Sequence, residues 1–198
     1  MVCFRFRGIT LAADFTAPAL LALLMLMQPQ SAVLRVLGAC VLHESAHFAA
    51  AALTGQHPEM LRISATGMHL NLKQPALCPL PAYACILLAG AAANLAAAFW
   101  FCRLGLHRAA AVQLSIGLFN LLPYRCTDGG TLLHLLAERA ELMHSRIPFR
   151  ALLHLPAFLC SLLFAVLLLR SGVRNLPLWA MLCYLTVSEL TESSVHSP

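Results

Sequence analysis

Residues 36–53 read "VLGACVLHESAHFAAAAL", with His43, Glu44 and His47 set in a run that is otherwise almost wholly apolar. No proline or glycine interrupts the second half, so the stretch reads as one helix. On a helix, positions i and i+4 share a face one turn apart. His43 and His47 therefore point the same way. Glu44 is rotated about 100° from His43, poorly placed to join the two imidazoles on one ion but able to reach a water beside it. Two metal-ligating histidines and a general base make the chemistry of an HExxH helix. By this chain's own composition the string arises by chance roughly once in a hundred such chains, so it is suggestive rather than decisive.

Its surroundings add weight. The chain has 198 residues, 60% of them hydrophobic and only 11% charged, and its mean hydropathy is +0.78. Soluble domains carry about 25% charged residues. This composition points to an all-α polytopic membrane protein, folded as one domain over residues 1–190 with a polar tail at 191–198. The formal net charge is +5. The basic residues are scattered between apolar runs, which suits the flanks of membrane spans and argues against nucleic-acid binding. Eight cysteines without a CxxC pair read as small apolar residues rather than a disulfide framework.

The apolar runs predict about six transmembrane helices, near residues 9–27, 32–53, 80–102, 109–123, 151–169 and 176–190. The N-terminal run carries one charge, Asp14, for which the sequence offers no role. A polar helical stretch is expected over 131–144. Between spans two and three, "RISATGMHLNLK" (62–73) alternates about Gly67 and predicts a small β-hairpin. Basic-residue counts of eight on one side (seven arginines and Lys73) and five on the other favour a cytoplasmic N-terminus. Residue 43 then falls near the midpoint of span two. A charged side chain at that depth costs about 2.5–3.5 kcal/mol on insertion scales, so Glu44 requires a reason. A bound dication is one. The plainer alternative is that His43 and His47 are hydrogen-bonded between packed helices, with Glu44 facing a water pocket.

A catalytic zinc usually takes three protein ligands and keeps one position open. Asp128 is the best third ligand from the sequence. It is the sole acidic residue between Glu59 and Glu138, and Gly129 and Gly130 are expected to let the backbone turn beside it. Taken alone, Asp128 reads equally as an N-cap for the helix that follows. The other seven histidines lack partner spacing.

"LHESAHFAAAALTG" (42–55) followed by "FNLLPYRCTDGG" (119–130) resembles the site-2 protease family of intramembrane zinc metallopeptidases. The second stretch is similar to that family's Asn-x-x-Pro…Asp-Gly signature at Asn120, Pro123, Asp128 and Gly129. "AGAAAN" is similar to its Gly-Pro-x-x-Asn element at Gly90 and Asn94, with Ala91 in place of proline. The short form is most like the sporulation-type bacterial branch. The resemblance implies one catalytic zinc on His43, His47 and Asp128, with Glu44 as general base. It implies Asn94 and Asn120 as residues that hold the substrate or its oxyanion. It also implies a membrane-anchored protein substrate, a regulatory membrane protein as partner, and a bacterial inner-membrane location. A non-catalytic membrane protein that binds metal, as a transporter or a scaffold, is the alternative.

Overall fold

The computed structural model describes every residue except 1, 7, 8, 14, 57, 65, 66, 73–77, 144–148, 173–175 and 196–198. Asp14, the two residues before Gly67 and the end of the tail therefore lie outside the described residues. The chain divides into two compact units, Met1–Leu118 and Phe119–Pro198.

The first unit begins with a surprise for the hydropathy reading. Ile9 to Met27 is not one membrane helix. Val2–Phe6 forms strand β1 and Ile9–Ala13 forms β2, before helix α1 over Thr16–Met27. Twelve helical residues span about 18 Å, short of the ~30 Å of a bilayer's hydrocarbon core. A strand and a short helix in succession have the same composition as one long apolar helix, and hydropathy alone does not separate them.

Helix α2 covers Gln30–Leu53. Strands β3, Pro58–Ser64, and β4, Gly67–Leu72, follow it and pair antiparallel, β3 beginning four residues before the 62–73 segment expected as a hairpin. They belong to a larger sheet of order β1-β2-β3-β4. β1 and β2 are antiparallel, whereas β2 and β3 run parallel, with Thr10 opposite Met60 and Ala13 opposite Ile63. A parallel pair needs a long crossover, and here α1 and α2 supply it.

Helix α3, Leu80–Arg103, packs along α2. Many of the buried positions on the two helices are small residues: Ala39, Ala50 and Ala51 on α2, Gly90, Ala91 and Ala98 on α3. Small side chains let helix backbones approach closely where lipid offers no hydrophobic drive for association. Both helices stop cleanly. Gly55 and Gly105 take φ of 70° and 75°, and Gln56 N–H and Leu106 N–H reach back to the carbonyls of Ala51 and Phe101 at 2.8 Å, closing each helix in a Schellman-type turn. Helix α4, His107–Asn120, carries the chain to the second unit.

That unit contains α5 (Asp128–Met143), α6 (Phe149–Arg170) and α7 (Leu176–Val195). α5 begins three residues before the predicted helical stretch, and α7 runs on into the segment expected as a tail. The core centres on Tyr124, Ala157 and Leu185. The fully buried Tyr124 hydroxyl lies 2.8 Å from Ser161 Oγ, and Thr186 donates to the same oxygen at 3.2 Å.

Gln30–Leu53 and Leu80–Arg103 are long and apolar enough to cross a membrane. Their outer faces are not covered by protein: Leu34, Val41, Phe99 and Trp100 are all more than half exposed, as are Leu162, Leu163 and Leu167 on α6. Apolar surface of that extent, on helices whose backbone groups are satisfied internally, has lipid as its solvent. The chain is a membrane protein.

Candidate metal centre

His43 and His47 are both buried on the α3-facing side of α2. Their Nε2 atoms lie 3.0 Å apart, and the two rings meet edge to face at a centroid distance of 4.6 Å. His47 Nδ1 lies 2.6 Å from the carbonyl oxygen of Ile86. A carbonyl only accepts, so Nδ1 carries the proton and donates it. The lone pair of His47 is thereby fixed on Nε2, the nitrogen turned toward His43. An outer partner that sets the ring's tautomer and orientation is the usual support of a metal-ligating histidine.

Gly90 completes this arrangement from α3. A Cβ at Gly90 would sit 2.5 Å from His47 Nε2, and 2.6 and 2.7 Å from Cε1 and Nε2 of His43. No side chain larger than hydrogen fits there without moving both rings. The α3 backbone presses directly on the imidazole edges, so the pair has one geometry. The donor set fits a borderline-soft divalent ion: two imidazole nitrogens, presented from one helix face, with orientation imposed by a carbonyl and by close backbone approach.

Glu44 is half-buried, on a different side of α2 from the histidine pair. Asn94, one turn beyond Gly90 on α3, is completely buried, and neither its Oδ1 nor its Nδ2 has a hydrogen-bond partner among the described residues. An amide buried in that condition costs about 1–3 kcal/mol. Asn120 is the last residue of α4 and half-buried.

Asp128 belongs to the second unit, and its setting differs from the sequence expectation in two ways. The N-cap of α5 is Thr127, not Asp128: Thr127 Oγ1 accepts from Gly130 N–H at 3.3 Å, the contact an N-cap makes with the third helical residue. The same hydroxyl lies 2.5 Å from the Leu122 carbonyl and 2.7 Å from that of Tyr124. Asp128 is thereby released from capping and stands as the first residue of the helix, where a carboxylate is favoured by the helix dipole. Nor do Gly129 and Gly130 serve as turn-formers. Both lie within α5, and neither is among the glycines of positive φ. They are required because the preceding loop folds onto the helix start. A Cβ at Gly129 would overlap the Leu121 carbonyl, and one at Gly130 that of Tyr124.

Sequence reasoning passed over Glu189. It sits in the last apolar run and is only 2% exposed. Its oxygens meet the backbone N–H of Arg125 at 3.1 Å and His154 Nδ1 at 2.6 Å. The signal was available: a carboxylate inside the apolar run 176–190, the same kind of signal that drew attention to Glu44.

The fold is similar to that of a solved site-2 protease. The solved structure of the site-2 protease from Methanocaldococcus jannaschii is similar over 96% of this chain and 90% of that one, with a TM-score of 0.58 and 20% sequence identity. No protein-family model matches the chain, and no curated protein matches it.

Proposed function

We propose that this chain is an intramembrane zinc metalloprotease, hydrolysing a peptide bond of a membrane-anchored protein close to the cytoplasmic side of a bacterial inner membrane. The observation that carries the reading is the His43–His47 pair, with Nε2 atoms 3.0 Å apart on one helix of a site-2 protease fold. In this reading Asp128 completes the ligand set and Glu44 is the catalytic base. When bound, zinc supplies a Lewis acid that polarises the scissile carbonyl and makes water acidic enough to attack near neutral pH. The chain's own residues do the rest. The Ile86 carbonyl holds His47 in the tautomer that presents Nε2. Glu44 accepts the proton of the attacking water and returns it to the leaving amine. Asn94 and Asn120 offer amide N–H donors to the substrate carbonyl or the developing oxyanion.

A helical substrate hides its carbonyls in internal hydrogen bonds, so it must be extended before it is cut. β4 ends the strand order, and an added strand is one way to hold an extended segment. Proline at Leu70 is expected to reduce cleavage of a membrane-tethered substrate at least tenfold while the helical circular dichroism is retained. Unchanged cleavage rejects strand addition. The four arginines between Arg125 and Arg150 favour a cytoplasmic position for that segment. A membrane protein that regulates access to the site belongs to the same reading.

The test is metal analysis and substrate cleavage on the full chain in detergent. Glu44→Gln is expected to keep its metal and to lose cleavage by about 10²–10⁴-fold, the range of a general base. Asp128→Asn is expected to weaken zinc binding at the His43–His47 site. A chain that binds zinc normally through both substitutions and cleaves nothing is a metal-binding scaffold, and the protease reading falls.

A further inference from the structure

α5, α6 and α7 bring a second set of metal-ligating groups together, entirely within the second unit. His134 on α5, His154 on α6 and Glu189 on α7 each offer one ligand atom, and these atoms lie within 4.8 Å of one another. His154 Nδ1 to Glu189 Oε1 is 2.6 Å, and His134 Nε2 to the same oxygen is 3.9 Å. The two rings face each other at 5.6 Å between centroids, tilted by 57°.

A buried hydrogen-bonded cluster accounts for part of this geometry. Glu189 Oε2 takes the Arg125 backbone N–H, and Oε1 takes His154. It leaves His134 unexplained. His134 is 9% exposed, and its Nε2 is buried with no hydrogen-bond partner among the described residues, while pointing to within 3.9 Å of the carboxylate. An unpaired buried nitrogen is costly. At 3.9 Å the Glu189 oxygen lies beyond hydrogen-bond reach of that nitrogen, so the carboxylate does not resolve the problem. Two imidazoles and one carboxylate make a set that zinc accepts readily. Bonds of 2.0–2.2 Å to a tetrahedral ion place ligand atoms about 3.3–3.6 Å apart, and the 2.6 and 3.9 Å separations here bracket that value. A dication would also neutralise a carboxylate that is 2% exposed, where an uncompensated charge is strongly disfavoured.

We propose that His134, His154 and Glu189 form a second divalent-metal site, structural in role, which ties the last three helices together. Through Glu189 Oε2 and the Arg125 N–H, an ion bound there also steadies the loop that leads into Asp128. The site is independent of the protease reading and would stand if that reading failed.

The experiment uses the untagged full chain in detergent, carrying His43→Ala and His47→Ala, titrated with Co²⁺ alone. One Co²⁺ per chain is expected, with X-ray absorption showing two imidazoles and no sulfur in its first shell. Adding His134→Ala, which spares the His154–Glu189 hydrogen bond, is expected to weaken binding at least 100-fold with the helical circular dichroism unchanged. Absence of Co²⁺ binding overturns the site. So does a first shell with fewer than two imidazoles, or one with thiolate ligation from the free cysteines, and these readings need no variant beyond the starting background. Undiminished affinity in a folded His134→Ala chain overturns it equally.

Discussion

Two places in this molecule gather two imidazoles and a carboxylate, and they are built on opposite plans. His43, Glu44 and His47 come from five consecutive residues of one helix. Helical geometry aligns the two rings, and the carboxylate is turned away from them. His134, His154 and Glu189 come from three helices, across 56 residues of sequence, and the carboxylate stands between the rings. In the proposed reading the first plan separates the base from the ligands, which is what a reaction needs. The second commits the carboxylate to the rings and to a backbone N–H, leaving it no freedom to act on a substrate. Composition alone does not decide whether such a set is reactive; the direction in which the carboxylate points does.

The support of each set can be tested by substitutions that leave its polar residues in place. The largest effect is expected at Gly90, where a methyl group collides with both rings of the first pair. Gly90→Ala should lower metal affinity at His43–His47 by about 10–100-fold, the range found when outer-shell support is lost, measured by competition with a chromophoric chelator. An unchanged affinity would mean the rings have room that the structure denies them. A smaller effect is expected where the second unit caps its first helix. Thr127→Ala should destabilise that unit by about 0.5–2 kcal/mol, read from denaturant unfolding in detergent, with Thr127→Ser recovering most of the loss. The smallest belongs to Gly38, on the same helix as the pair. A Cβ there meets nothing within 4 Å, so Gly38→Ala should leave metal affinity unchanged and stabilise α2 by about 0.5–1 kcal/mol. Together, Gly90 and Gly38 separate a glycine needed for close approach from one that is merely present.

The same contrast explains how much could be read from the sequence. Helices α2 and α3 and the register of the histidine pair were legible because their determinants are local: apolar length, a spacing of four, a glycine at each helix end. The strands at Val2–Phe6 and Ile9–Ala13 were not, because β2 finds its partner at Met60–Ile63, about fifty residues on. An apolar run does not announce whether it will cross a membrane or join a sheet. Gly129 and Gly130 drew notice for the wrong reason. Their demand comes from the carbonyls of Leu121 and Tyr124, folded back onto them, and not from their own dihedral angles. Glu189 carried a local signal, but its partners could be named only once three helices were packed.

The bond between Glu189 and the Arg125 backbone sets an order of events during synthesis. The histidine pair and the helix that presses on it are complete once Arg103 has been made. Glu189 follows 86 residues later, about 4–17 s at translation rates of 5–20 residues per second. Throughout that interval the nascent chain holds its imidazoles while the loop before Asp128 lacks its last anchor. A chain still on the ribosome therefore has its histidine pair early and the anchored loop before Asp128 only after Glu189 has been made.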